Sequence, residues 1–322
     1  MTKTGAEAII SLSPQGGIVL IRLFLFPLIA LLAAPVVIPA ERSSAGAMPF
    51  LKLGVGAEAI GMGEAVTALT GDLFSSYWNP AGLSFVQQGQ IGLMHCEWFE
   101  GINHEFAGYA HPLGDLGALS LTVNYVSYGE LERRDKEGKR IGTFRPYDLA
   151  VGLSIGLRLT ESLSCGLTGK WATEVIDESK GKALSADLGL IYSPPGTPIS
   201  IGMLLQNLGT KAKFAESEFE LPRVLKAGVA YRSVGGNIVL AADLQKPSDD
   251  SASIGIGIGL RTLRVLTLRA GYRYKLGGND LGAISGLRVG LGVSVEGYQF
   301  DYAFATYGEL GATHRFSVLA RF

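Results

Sequence analysis

From Gln88 to Phe322, apolar residues recur at every second position over long stretches. Leu149, Val151, Leu153, Ile155, Leu157 and Leu159 alternate with Ala150, Gly152, Ser154, Gly156 and Arg158. Ile254, Ile256, Ile258 and Leu260 alternate with Gly255, Gly257, Gly259 and Arg261, and Leu287, Val289, Leu291, Val293 and Val295 with Arg288, Gly290, Gly292, Ser294 and Glu296. Successive side chains of a strand point to opposite faces, so each run has one apolar face and one small or polar face. No long window here carries the helical period, and no apolar run reaches the roughly 18 residues of a membrane helix. The pattern predicts fourteen strands: Gln90 to Phe99, Asn103 to Pro112, Leu116 to Tyr128, Pro146 to Leu159, Ser162 to Ile176, Lys182 to Tyr192, Pro198 to Asn207, Arg223 to Arg232, Asn237 to Gln245, Ala252 to Arg261, Val265 to Lys275, Ile284 to Glu296, Tyr298 to Thr306 and His314 to Phe322.

A soluble or periplasmic β-sandwich alternates too, so segment length and loop rhythm must separate the two. Most segments hold about ten residues, the span of a tilted strand across a bilayer, whereas globular strands peak near five or six. The connections tend to alternate in length: Gly129 to Arg145 precedes Thr160-Glu161, Leu208 to Pro222 precedes Ser233 to Gly236, Lys246 to Ser251 precedes Thr262 to Arg264, and Leu276 to Ala283 precedes Gly297. Two pairs are ties, Glu100 to Ile102 with Leu113 to Asp115, and Asp177 to Gly181 with Ser193 to Thr197. Long external loops and short periplasmic turns are the rhythm of an outer-membrane barrel, and an even strand count leaves both barrel ends periplasmic. Phe316, Val318, Ala320 and Phe322 alternate up to a terminal aromatic carboxylate, the form that barrel assembly machinery reads; Phe316 and Phe322 are the expected assembly signal. Tyr125, Tyr128, Trp171, Tyr192, Tyr231, Tyr272, Tyr274, Tyr298 and Tyr302, near predicted strand ends, would suit interfacial girdles. In hydrocarbon an unpaired backbone group costs several kcal/mol, so the first and last strands must pair. Fourteen strands leave a lumen wider than the side-chain-filled eight-stranded barrels, and something must occupy or line it.

The run Ile18 to Ala40 is strongly apolar, interrupted by Arg22, Pro27, Pro35 and Pro39 and followed by small residues. It reads as a secretory signal within residues 1–47, cleaved after Ala40 or Ala47; the prolines and the small-residue exit argue against a membrane anchor. Met1 to Gly17 is long and weakly charged for such a signal, which places the expected translation start near Val19. Residues 48–87 then form a separate segment ahead of the barrel, residues 88–322.

The chain of 322 residues is 47% hydrophobic and only 18% charged, with 44 glycines. A formal net charge of -1 carries no basic excess, so nucleic acid is not an expected partner. Cys96 and Cys165 fall on non-neighbouring strands, which predicts free thiols that pack as small apolar side chains. His95, His104, His111 and His314 lie on strands without helical ligand spacing, and no Ser/His/Asp set is recognisable. Neither a metal, a cofactor nor an enzymatic activity is expected. The polar phase of the strands turns Arg158, Lys170, Lys226, Arg232, Arg261, Arg269, Arg273, Lys275, Arg288, Arg315 and Arg321 inward, against Glu174, Asp187, Asp243, Glu296 and Asp301. As candidate lumen-lining groups, Arg158, Lys170, Arg232, Arg261, Arg269, Arg273 and Arg288 would favour anionic head groups or the carboxylates of an internal plug; pairing among the polar residues themselves is the alternative.

The segment ahead of the barrel carries Gly61-Met62-Gly63, Asp72 and Ser75-Ser76-Tyr77-Trp78-Asn79-Pro80-Ala81-Gly82-Leu83. No strand precedes the glycines and no phosphate-loop spacing follows, which excludes nucleotide binding. Asn79-Pro80 is a turn former. Together with Gly308 to Ser317 near the C-terminus, these residues resemble the two ends of the PorV/PorQ family, within the wider FadL-like superfamily of outer-membrane transporters. The resemblance spans Leu51 to Phe322, with specific motifs only at its ends. It implies an all-β fold, a fourteen-stranded antiparallel transmembrane barrel, with the N-terminal segment folded into the lumen as a hatch. Gly61, Met62, Gly63, Asp72, Trp78, Asn79, Pro80 and Ala81 would be the hatch motif. It also implies location in the cell outer membrane, contact with its lipid, and passive passage of a hydrophobic or amphipathic ligand. PorV members instead imply secretion-system subunits of type IX as partners. The loops of this chain are short, so an elaborate extracellular capture domain is missing.

Overall fold

The computed structural model describes residues 46–69, 71–214, 217–277 and 282–322; the expected translation start, signal run and cleavage after Ala40 lie outside them. The strands among these residues are β1 Gln90–Glu97, β2 Asn103–Pro112, β3 Gly117–Ser127, β4 Leu131–Arg134, β5 Arg140–Phe144, β6 Tyr147–Arg158, β7 Leu163–Ile176, β8 Ser179–Tyr192, β9 Ile199–Gly209, β10 Ala212–Phe214, β11 Ser217–Phe219, β12 Val224–Arg232, β13 Ile238–Pro247, β14 Ser253–Arg261, β15 Leu266–Lys275, β16 Leu287–Val295, β17 Tyr298–Thr306 and β18 Ala312–Arg321. All but the hairpins β4–β5 and β10–β11 form one closed antiparallel barrel of fourteen strands. Closure comes from β1 pairing with β18, in register from Gln90 opposite Arg321 to Glu97 opposite His314, so no barrel edge is left unpaired.

The predicted alternation fixes which face looks where. Leu93, Leu121, Leu153, Ile256 and Phe300 point outward in mid-strand and are 52% to 62% exposed. They belong to an apolar belt around the whole barrel, far beyond the few hundred Å² that soluble monomers expose, so this face meets lipid. Tyr125, Tyr147 and Tyr274 lie near one end of the strands and Tyr109, Tyr192, Tyr231 and Tyr298 near the other, as two girdles. Two aromatics expected in the girdles belong elsewhere: Tyr302 is central in β17, and Tyr128 is partly buried and donates to Asp148 at 2.6 Å. Phe316 faces outward, and Phe322 stacks on Tyr109 with centroids 6.4 Å apart at the end of the barrel that carries the short turns.

The structure corrects several strand limits. β1 stops at Glu97, because Glu100 and Gly101 take positive φ in a tight turn. The strand expected from Ile284 begins at Leu287, after a 3-10 turn over Ala283–Gly286. The five-residue loop expected at Asp177 to Gly181 is a two-residue turn, with Asp177 at φ 55°, so β7 and β8 run 14 residues each and rise above their neighbours. Two loops contain unexpected hairpins. The turn of β4–β5 is set by Asp135, whose Oδ1 accepts the backbone N–H groups of Glu137 and Lys139 at 3.1 and 2.8 Å. Arg133 ties this hairpin to Asp177 and Glu178 at the tip of β7–β8.

Candidate functional site

The residues ahead of β1 pass through the lumen as short turns: 3-10 over Pro49–Lys52, helix over Ala57–Gly61 and Ser75–Trp78, and 3-10 over Pro80–Phe85. Phe50, Val55, Ile60, Met62, Leu73 and Leu83 are all buried. So short a set of turns cannot satisfy its own backbone or pack its own core. The barrel wall supplies both.

On β6, β7 and β9 and again on β14, β15 and β16 the contact is backbone to backbone. The Met62-Gly63 peptide lies directly on Gly255, Gly257 and Gly271, where a Cβ on any of the three would collide with it. Gly61 sits on Gly290, Thr67 on Gly202, and Pro80-Ala81 on Gly156 and Gly166. The inward glycines of the alternating strands are therefore a track that lets the N-terminal segment touch the wall. Gly63 is itself at φ 67° and faces the Ile256 carbonyl, so no other residue fits there.

Asn79 is the best-anchored residue of the segment and is fully buried. Its Nδ2 donates to the Thr67 carbonyl at 2.7 Å and to the Leu190 and Met203 carbonyls of β8 and β9 at 3.1 and 3.4 Å. Its Oδ1 accepts the Ala81 N–H at 3.2 Å and starts the 3-10 turn, whose first position Pro80 fills without needing a donor. One side chain thus closes the turn and pins it to the wall. Asp243 of β13 does the converse: Oδ2 accepts the N–H groups of Val66 and Thr67 at 3.0 and 2.8 Å. Trp78 donates from Nε1 to the Val55 carbonyl at 2.8 Å and lies under Lys226, whose Nζ is 4.5 Å from the ring centroid. Asp72 accepts the Ser75 N–H at 3.1 Å; burial, with the Glu58 carboxylate adding to it, pushes its carboxyl up to about 6.

Along β15 ion pairs add to the glycine contacts. Glu58 meets Arg269 of β15 at 3.0 Å, and Arg269 meets Asp301 of β17 at 2.7 Å. Gln299 Nε2 donates to both carboxylates at 2.8 Å. Glu64 meets Arg273 at 2.6 Å. Burial alone would raise Glu58 and Glu64, but the facing guanidinium of Arg269 or Arg273 holds each below the usual carboxylate range.

The inward basic residues therefore do not form one free basic wall. Arg269 and Arg273 take the carboxylates of Glu58 and Glu64, while Lys170 pairs with Asp187 of the wall at 2.7 Å. Arg288 is buried and donates to the Ser285, Leu287 and Thr306 carbonyls with its guanidinium 4.8 Å above the Tyr307 ring. Arg158 is exposed at the rim, 5.1 Å over the Phe85 ring, and not along the lumen. Arg232 and Arg261 are exposed and form no ion pair among the described residues. They line a chamber of about 300 Å³ between the N-terminal segment and the β12–β18 wall, to which Glu58, Val66, Asp72, Phe74 and Trp78 of the segment also contribute. The strand phase predicted the arginines, but their hatch partners Glu58 and Glu64 were missed. The available signal was composition: the segment has three acidic residues, Glu58, Glu64 and Asp72, against one basic residue, Lys52. Cys96 and Cys165 are free thiols, and among the described residues no group of His, Cys, Asp and Glu is placed to hold a metal.

The class these observations define is an outer-membrane-type β-barrel. Its fold is that of FadL-like barrels. The toluene transporter TbuX of Ralstonia pickettii is 14% identical, with 84% of this chain and 98% of that chain covered and a TM-score of 0.58. The Pseudomonas putida toluene transporter TodX is 16% identical, with 83% and 96% covered and a TM-score of 0.58. A Pseudomonas aeruginosa FadL homologue is 9% identical, with 83% and 98% covered and a TM-score of 0.53. Residues 39–187 match the family described as Type IX secretion system protein PorV, so the PorV resemblance is borne out over the part of the chain that holds the Gly-Met-Gly and Asn-Pro-Ala motifs. A comparison with curated protein sequences finds no match.

Proposed function

We propose that this barrel passes small hydrophobic or amphipathic molecules passively through the outer membrane, with residues 48–87 as the occluding hatch. The observation that carries the reading is the asymmetry of the seat. Toward β6–β9 the segment lies on glycines and is pinned by Asn79, whereas toward β12–β18 it lies on Gly255, Gly257, Gly271 and Gly290, is also held by ion pairs from Arg269 and Arg273, and leaves a chamber of about 300 Å³. A path can open beside the chamber by breaking the ion pairs and lifting the Met62-Gly63 backbone off its glycines, while Asn79 keeps the segment anchored on β8 and β9. Gly61, Met62 and Gly63 would be the part that slides, and Asn79, Pro80 and Ala81 the part that stays. The names of the structural neighbours, toluene transporters and monoaromatic hydrocarbon channels, agree with this class of cargo.

The test is uptake of labelled toluene and labelled cyclohexanecarboxylate by cells with and without the chain. Faster uptake of either with the chain present, and no change for glucose, is expected; equal uptake of both probes in the two strains would refute the transport reading.

A second reading has its own support. The PorV match, and the tall β7–β8 hairpin buttressed by β4–β5, favour a platform for secretion-system subunits. Co-purification of such subunits with the intact chain, lost on removing residues 131–144, would favour it.

A further inference from the structure

We infer that the chamber beside the hatch binds a small organic anion: a single carboxylate on a compact apolar body. The inference deepens the transport reading by naming a ligand class, and rests on that reading only for its biological use. The first observation is charge. Four arginines reach the chamber, and Arg269 is spent on Glu58 and Asp301. Arg321 donates to the Gln299 amide oxygen at 2.9 Å, while Arg232 and Arg261 stand at the chamber mouth without a carboxylate among the described residues. The lining holds two acids: Glu58, which is paired with Arg269, and Asp72, which accepts the Ser75 N–H and faces the charge of Arg321 without an ion-pair contact. Four guanidiniums therefore line a space to which the chain contributes two carboxylates, and Arg232 and Arg261 are the two without an ion pair among the described residues.

The second observation is shape. Val66, Leu69, Phe74, Trp78 and Val239 add small apolar patches to a lining that is otherwise polar, so a ligand with one charged end and a compact apolar body satisfies both. A neutral molecule of the same size returns no acceptor to the guanidiniums and should bind the chamber more weakly. The volume, about 300 Å³, lies at the lower limit of ordinary ligand pockets and excludes long chains.

The experiment reads binding directly. Trp98→Phe and Trp171→Phe leave Trp78, which lines the chamber, as the sole tryptophan of three. The full chain, folded in a non-ionic detergent, is titrated at neutral pH with cyclohexanecarboxylate and with its neutral analogue cyclohexylmethanol, following Trp78 fluorescence. A saturable response to the carboxylate at concentrations where the alcohol gives little is expected. Replacing Arg232 and Arg261 by glutamine should weaken the carboxylate about tenfold or more and leave the alcohol unchanged, while lysine at both positions should retain most of the affinity. Gly259→Leu is the second variant. A Cβ there has ordinary contact with Met62 Sδ at 3.5 Å, so the added side chain fills the chamber without disturbing the wall and should abolish the response. Equal responses to acid and alcohol, no response to either, or carboxylate binding indifferent to these variants would overturn the inference. Uptake is a separate readout: specific binding without chain-dependent uptake sinks the transport reading and spares the site, and the reverse result sinks the site alone.

Discussion

Valine at both Gly257 and Gly271 is expected to expel the hatch and leave the barrel standing. Each new Cβ would collide with the Met62-Gly63 backbone, which has no flexible end to move aside. The wall itself has no objection: both positions lie inside long strands, where valine is among the preferred residues and every ladder hydrogen bond is kept. The clash falls on the hatch, whose own turns are too short to hold shape alone. Chymotrypsin should then cut at Phe74, Tyr77 or Trp78 in the folded variant, while heat-modifiable migration of the barrel persists. A hatch still protected from the protease would mean that the glycine track is not its seat.

Arg269→Leu should have the next largest effect. It leaves Glu58 and Asp301 facing each other with Gln299 as their shared donor. Removing one partner of a buried pair costs about 3–5 kcal/mol, chiefly because the remaining charges lose their compensation. The sign with pH follows from the direction at Glu58. In the native chain Arg269 holds that carboxyl below its ordinary value, so the hatch contact is complete at neutral pH and is lost as acid protonates Glu58. In the variant the dependence reverses, since the uncompensated carboxylates gain from protonation. Hydrogen exchange at Ala59 to Met62 should rise sharply at neutral pH in Arg269→Leu, fall again on mild acidification, and be partly restored by adding Glu58→Gln. Exchange equal to that of the native chain would show the pair to be incidental.

The barrel was readable because each wall strand separates lipid from lumen over nearly its whole length, and period two survives wherever that separation holds. The hairpins β4–β5 and β10–β11 separate nothing of the kind. β4–β5 stands in water with charged or exposed residues on both faces, as at Glu132, Arg133 and Arg134, and β10–β11, where Ala212, Phe214 and Phe219 do pack inward, has only three residues a strand, too few to show a period. The upper end of β8 was lost for the same reason, because Lys180 and Lys182 replace the apolar phase above the membrane. Within the site, strand phase placed Lys170, Arg232, Arg261, Arg269, Arg273 and Arg288. It could not say which of them the hatch neutralises, because Glu58 and Glu64 lie about 210 residues from their partners. Nor could a chamber be read from the sequence; it is the space left where turns meet a curved wall.

Planar-bilayer recording of the intact chain beside a chain lacking residues 48–87 tests the central claim most directly. The intact barrel should be electrically quiet, and the shortened one should give stable, discrete conductance steps of a water-filled lumen. If removing the segment leaves the inserted, folded barrel as silent as before, that segment is not what closes the pore.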